Sequence, residues 1–426
     1  MLHSAIQRFE SAGASLANLW EARTDPLALF LRATAQGDLT PLDVGPFDLL
    51  VTADAGLAEQ ILQQPQVFTK DTRGQRVLRG VLGNGLVTAQ GPVWRERRRI
   101  AQPAFRRPKL AVYAQSMVEE ATTLAQRWAG RDGEVVDVGH EMMQLTLKIA
   151  TRCLFDDDLH GEAEAVDQAL QSILAAYLRM VTQPFAHPER LPVGPAVAYR
   201  RSVRELDAVV SRLIERRRSA GSDGDDLLHL WLHSGLDDDA IRDEVVTMLL
   251  AAHETTANAL TWTWTLLSRH PQALRKLVAE VNEGDDRTWT DAVIRESLRI
   301  YPPVWTLARH ATTDAILDGH AIPAGSNLTI CIYAMHHDAR YWPHPEGFDP
   351  DRWLSKSTSS GPWMPFGAGQ RKCIGSHFAL LEARIVLATL VQHVDLELLP
   401  GQSLAMSPSI TLRPELPIHM RVRASS

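Results

Sequence analysis

Residues 365–375 read Pro-Phe-Gly-Ala-Gly-Gln-Arg-Lys-Cys-Ile-Gly, and the stretch HFALLEARIVLATLVQHV that follows from His377 has helical spacing. A single cysteine, Cys373, therefore closes a glycine-bearing loop where a helix begins. Unpaired backbone N–H groups and the positive end of the helix dipole favour a thiolate there, and Arg371 and Lys372 add positive charge. Such a sulfur suits a metal ligand or a nucleophile. Its neighbours are specified too: Phe366 screens the sulfur from water, Gly369 permits a tight turn, and Gly375 removes a side chain where backbone meets a flat ligand. Cys153 and Cys331 lack such surroundings and read as small buried hydrophobes.

Composition narrows the classes. A chain of 426 residues, 45% hydrophobic and 22% charged, is long enough for a large core. Its net charge of -7 offers no basic stripe to track phosphates, so a nucleic-acid partner is not expected. Three cysteines make neither a disulfide framework nor a zinc pair, which suits a reducing cytoplasm. The first twenty residues, with Arg8 and Glu10, lack the order of a signal peptide. Residues 245–268 have the length of a membrane span, but His253 and Glu254 sit at the centre, so a buried helix is expected and no transmembrane segment.

Helical periodicity at 117–129, 140–153, 163–181, 197–218 and 239–269 predicts a mainly α fold. Short alternating stretches at 49–52, 315–322, 328–332 and 410–422 predict a small β portion. Breaks at 218–226, 283–287 and 355–361 are too short for linkers, so residues 1–426 read as a single domain.

Three further patterns carry chemistry. Ala251-Ala-His-Glu-Thr-Thr256 places polar groups inside an apolar helix, where they are costly unless partnered or used. Thr255 and Thr256 can bond back to the preceding turn; a zinc pair is ruled out because position 257 is Ala where H-E-x-x-H needs His. Glu296 and Arg299 share one helical face, and Arg352 follows downstream. Trp94 and Arg98, four apart, form a face suited to a carboxylate.

The cysteine loop matches F-x-x-G-x-R-x-C-x-G at every fixed position, and in this it resembles the haem-ligand signature of the cytochrome P-450 superfamily. The likeness runs from about residue 49 to 396, with the motif blocks in order. It implies that superfamily's fold, a triangular helical prism around a buried haem b (iron protoporphyrin IX), with Cys373 as axial iron ligand. Phe366 and Gly375 then flank the cofactor, while Trp94, Arg98, Arg371 and Arg309 reach its propionates. Glu254 and Thr255 take the acid and threonine positions of proton delivery, with Ala252 where glycine is usual and its methyl narrowing the oxygen-side groove. Glu296, Arg299 and Arg352 take structural roles.

The implied activity is a monooxygenase inserting one oxygen atom from O2 into a lipophilic small molecule, a carotenoid, terpenoid or fatty acid. NAD(P)H electrons arrive indirectly, through a separate ferredoxin or flavodoxin and its reductase, docking near Arg95, Arg97, Arg371 and Lys372. The cavity walls are expected from residues 73–86, 174–193, 248–256 and 304–307. Two alternatives stand beside this reading: a peroxide-driven peroxygenase, and a haem-thiolate sensor without turnover.

Overall fold

The computed structural model describes residues 14–182, 194–221, 224–284, 286–354 and 361–424. The readings made above for residues 1–13, for 183–193 of the cavity wall and for most of the 355–361 break lie outside these. The helices used below are α1 (Pro26–Thr34), α2 (Arg73–Leu82), α3 (Gly91–Ala101), α4 (Arg107–Ala129), α5 (Val138–Phe155), α6 (Ala163–Val181), α7 (Gly194–Ala220), α8 (Asp238–Arg269), α9 (Thr288–Ile300) and α10 (Ser376–Val391). The main sheet has β1 (Thr40–Val44), β2 (Phe47–Thr52), β3 (Phe68–Thr69), β4 (Thr306–Ala311) and β5 (Asn327–Cys331) in the order β1-β2-β5-β4-β3.

The central element is α8. Its N-cap Asp237 accepts from the Ala240 N–H, and Asp238 and Asp239 complement the dipole of the first turn. Its 32 residues span about 48 Å at 1.5 Å per residue. Every residue from Val245 to Leu250 and from Thr256 to Leu267 is buried, because α5, α7, α9 and α10 enclose it in one continuous apolar core. Among the described residues no helix is long and apolar enough to cross a membrane.

On the far side of the molecule, β4 and β5 pair antiparallel, β5 pairs parallel with β2, and Leu328, Ile330 and Cys331 turn into a second core with Leu57, Ile61 and Trp305. The cavity described below draws its lining from both cores. Two boundaries differ from the sequence expectation. The periodicity at 117–129 is the second half of α4, whose first half begins with Pro108 in its first turn. The run from His377 stays helical only to Val391, and Val394–Leu398 is a strand paired with His419–Ala424.

Between the two cores lies a buried ionic knot. Glu296 of α9 is fully buried and receives five hydrogen bonds: Arg299 Nε at 3.0 Å and Nη2 at 2.9 Å, Arg352 Nε at 2.9 Å, Trp353 Nε1 at 3.0 Å and the Asp349 N–H at 3.0 Å. Arg299 also donates to the carbonyls of His336, Pro345 and Gly347 at 2.8, 2.6 and 2.9 Å. Both charges are satisfied, so their burial is tolerated; removing one strands the other. Glu296→Ala should cost about 3–5 kcal/mol, read as a lower denaturant midpoint. An unchanged midpoint would remove the knot from the account of the fold.

Candidate haem site

The cysteine loop is shaped by two left-handed glycines, Gly367 at φ +65° and Gly369 at φ +66°. A Cβ on Gly369 would lie 2.3 Å from the Leu62 carbonyl oxygen, so only glycine fits there. The Cys373 N–H donates to the Phe366 carbonyl at 3.0 Å, and the Met364 N–H donates to His336 Nε2 at 3.0 Å. The loop is thus tied to the residues that Arg299 holds. A Cβ on Gly375 would meet only Phe105 at 3.6 Å and the Cys373 sulfur at 4.0 Å, so the protein itself does not demand glycine there. Phe366, Cys373 and Gly375 all line one internal cavity.

Two opposing effects act on the thiol. Burial pushes its pKa above the ordinary value, outweighing the Gly375 N–H and the nearby Arg98 and Lys372. The Arg371 guanidinium lies over the Trp94 ring, 4.1 Å from the centroid.

Beside the sulfur lies an unusual group of cations: Lys70, Arg98, Arg309 and Arg371 all line the cavity. Among the described residues none is paired with a carboxylate. Arg98 donates to the Lys372 carbonyl at 3.1 Å, Arg371 to the Ala89 carbonyl at 2.9 Å, Arg309 to the Ala308 carbonyl at 2.8 Å and Lys70 to the Val87 carbonyl at 2.6 Å. One buried nitrogen of Arg371, Nη1, has no partner. Burial, reinforced by Arg309 and Arg371, pulls Lys70 down to about 7. Burial likewise draws Arg309 and Arg371 to about 10. Four unneutralised cations beside a cavity-facing sulfur fit a flat metal-bearing guest with two carboxylates, as a haem is.

The structure brings Trp94, Arg98, Arg309 and Arg371 together. Lys70 is the member that the sequence reading missed, a lone lysine on a two-residue strand end with no motif around it. Arg97 departs from expectation in the opposite direction. It is 8% exposed and its Nε lies 3.6 Å from Glu244 of α8, so it is a buried ion-pair partner and no part of a docking surface. Arg95 and Arg99 of the same helix face water.

The opposite wall is α8, helical without interruption through Ala252. Ala251, Ala252, Thr255 and Thr256 line the cavity, while Glu254 points away. Thr255 Oγ1 donates to the Ala251 carbonyl at 2.9 Å, which leaves its lone pairs toward the cavity. Thr256 Oγ1 makes the same back-bond to Ala252 at 3.4 Å.

Glu254 is 1% exposed; Thr411 Oγ1 donates to it at 2.6 Å, and Asn258 and Arg413 lie close. Burial raises its carboxyl to about 7 against those partners. Behind it, His253 Nε2 and Asp167 Oδ1 of α6 stand 4.0 Å apart. Thr411, Arg413 and Asp167 were also missed, because they come from remote segments with no local pattern.

Above these walls the cavity, of about 660 Å³, is lined mainly by apolar groups, including Leu78, Leu86, Met248, Leu178, Val181, Trp305 and Leu307. The four expected wall segments all contribute, and α1 and β2 add Leu29, Phe30, Phe47 and Leu49.

A family model described as Cytochrome P-450 matches residues 18–422. Cyclooctat-9-en-7-ol 5-monooxygenase of Streptomyces melanosporofaciens is 33% identical, over 89% of this chain and 87% of that protein. Pentalenene oxygenase of Streptomyces avermitilis is 34% identical, over 87% of each. Among solved structures, that of CYP175A1 from Thermus thermophillus superimposes with a TM-score of 0.79, at 29% identity, covering 95% of this chain and 97% of the other.

The cation group gives a test in which stability and cofactor affinity part company. Lys70→Met removes a desolvated cation that has no counter-charge, so the haem-free protein should keep or gain thermal stability. The same change should weaken haem retention about tenfold, the worth of one charge-assisted hydrogen bond, measured by haem transfer to a competing apoprotein. Unchanged retention would take Lys70 out of the site.

Proposed function

The chain belongs to the cytochrome P-450 family and has its fold, and from that membership we propose that this haem-dependent monooxygenase hydroxylates a terpenoid. The observation that carries the reading is one cavity with a cysteine thiol and four unpaired cations at its base and an apolar chamber above them. Haem, when bound, supplies iron that activates O2, with a thiolate ligand favouring O–O cleavage. The overall change is R–H to R–OH, with two electrons and two protons delivered and the second oxygen leaving as water.

The chain's own residues supply position and protons. Cys373 would hold the iron, with Phe366 and Gly375 lining the same part of the cavity. Trp94, Arg98, Arg309, Arg371 and Lys70 would hold the propionates. Thr255 presents hydroxyl lone pairs to the oxygen side of the cavity. Glu254, buried behind it with a carboxyl near neutrality, holds a proton that is lost as pH rises through about 7. Ala252 keeps α8 regular beside that hydroxyl.

Electrons reach the site from outside the chain. Arg95, Arg99, Arg106, Arg107 and Lys372 are exposed on the cysteine side. They suit an acidic ferredoxin or flavodoxin fed by a reductase using NAD(P)H. Such a partner, and reduced cysteines, suit a cytoplasmic setting. The terpenoid choice over carotenoid or fatty acid rests on the bacterial relatives, which are named for oxidations of cyclooctat-9-en-7-ol and pentalenene.

Haem-loaded protein, with a surrogate ferredoxin and reductase, should convert a terpene to an alcohol carrying one oxygen from isotopically labelled O2. Product formed only with peroxide would favour a peroxygenase, and binding without turnover a sensor. Product per NADPH should fall as pH rises through about 7. Glu254→Gln should lower turnover about 100-fold and abolish that pH limb. An unchanged limb in the variant would exclude Glu254 as the proton holder.

A further inference from the structure

The roof of the chamber, where α2 lies against α6, contains two hydrogen-bonding groups that the fold leaves unused. Tyr177 of α6 lines the cavity with its hydroxyl seated against the bare backbone of α2; a Cβ on Gly74 would lie 2.5 Å from that oxygen. No hydrogen bond links this hydroxyl to any described residue, and burial alone raises its pKa. Next along α2, Gln75 also lines the cavity, and its side-chain oxygen is buried without a partner.

A neighbouring tyrosine shows what a purely structural arrangement looks like here. Tyr199 of α7 approaches α2 over Gly80 in the same manner, yet its hydroxyl donates to the Val77 carbonyl at 3.2 Å. The cations of the roof are already committed: Arg73 donates to the Val181 carbonyl at 2.6 Å and stacks 4.9 Å from the Phe47 centroid, and Arg76 pairs with Asp71 at 3.5 Å. What remains free is therefore neutral. An unmade buried hydrogen bond costs about 1–3 kcal/mol, so the Gln75 oxygen is expensive in an otherwise apolar wall unless a guest completes it, and the Tyr177 hydroxyl is a second group there without a partner.

We propose that the substrate arrives already carrying a hydroxyl group, which accepts from Tyr177 Oη and donates to the Gln75 side-chain oxygen. A hydroxyl both donates and accepts, so it serves this pair whichever way the Gln75 amide is turned. This rests on the terpenoid monooxygenase reading and extends it. The enzyme acts as a later step in a series, after a reaction that oxygenates or hydrates a hydrocarbon, and its product is a diol.

The test uses haem-loaded protein and the absorbance shift on ligand entry, with a terpene hydrocarbon, its mono-alcohol and a fatty acid of equal carbon number. The alcohol should bind about tenfold or more tightly than the hydrocarbon. Tyr177→Phe and Gln75→Leu should each shrink that ratio toward one while hydrocarbon affinity is kept and the melting temperature holds or rises. Equal binding of alcohol and hydrocarbon by the unmodified enzyme, or a preference that survives both substitutions, overturns the subsite and leaves the terpenoid reading standing. Preference for the fatty acid overturns the subsite too, by assigning the roof to a carboxylate. Binding of the fatty acid alone, with neither terpene entering, overturns the terpenoid reading and the subsite together.

Discussion

The buried carboxylate of Glu296 is the constraint on which the site's geometry depends. A charge with no access to water must have its oxygens satisfied, and here the donors come from α9 itself and from a segment some fifty residues downstream. Satisfying Glu296 orients Arg299, and Arg299 in turn gathers the carbonyls of His336, Pro345 and Gly347. His336 completes the path. Burial drives its pKa down to about 3, so its ring is neutral; Nδ1 faces the Arg299 carbonyl at 3.1 Å, and Nε2 accepts from the Met364 N–H at the mouth of the cysteine loop. An irregular loop gains rigidity in this way without being part of any helix or strand.

A second constraint acts within the cavity. Protein interiors ordinarily pair their charges, yet four cations stand here with only backbone oxygens to answer them, and the thiol beside them is pushed toward its neutral form. Both departures have the same remedy. A guest carrying two carboxylates and a metal ion neutralises the cations and deprotonates the sulfur together, so the cations and the sulfur suit the same guest. The acid side of the cavity is arranged differently. Glu254 is kept near neutrality and out of the chamber, where it can hold a proton without repelling an apolar guest.

Much of this was legible in the sequence because the residues concerned are contiguous. The loop from Pro365 to Gly375 concentrates turn glycines, sulfur and arginine in eleven positions, and α8 announces itself by length, by its capping aspartates and by its polar centre. What escaped was whatever depends on rotation or on remote chain. Arg97 and Arg98 are adjacent, and the 100° step between them sends one to Glu244 and the other to the cavity; a count of positive charge cannot separate them. Likewise Glu254 and Thr255 read as a pair, although the same step brings only Thr255 to the cavity. Lys70 and Thr411 reach the site from distant segments and carry no local signal. At Cys373 the dipole and the basic neighbours are visible in sequence, whereas the desolvation that opposes them exists only in the folded chain.

The central claim is that the cavity holds haem iron through the sulfur of Cys373. X-ray absorption at the iron edge of the haem-loaded protein addresses it directly. The account predicts one sulfur in the first coordination shell of the unmodified protein, and its loss in Cys373→Ser with haem still bound through the cation group. A first shell of nitrogen and oxygen alone in the unmodified protein, or sulfur that persists in the serine variant, would contradict it.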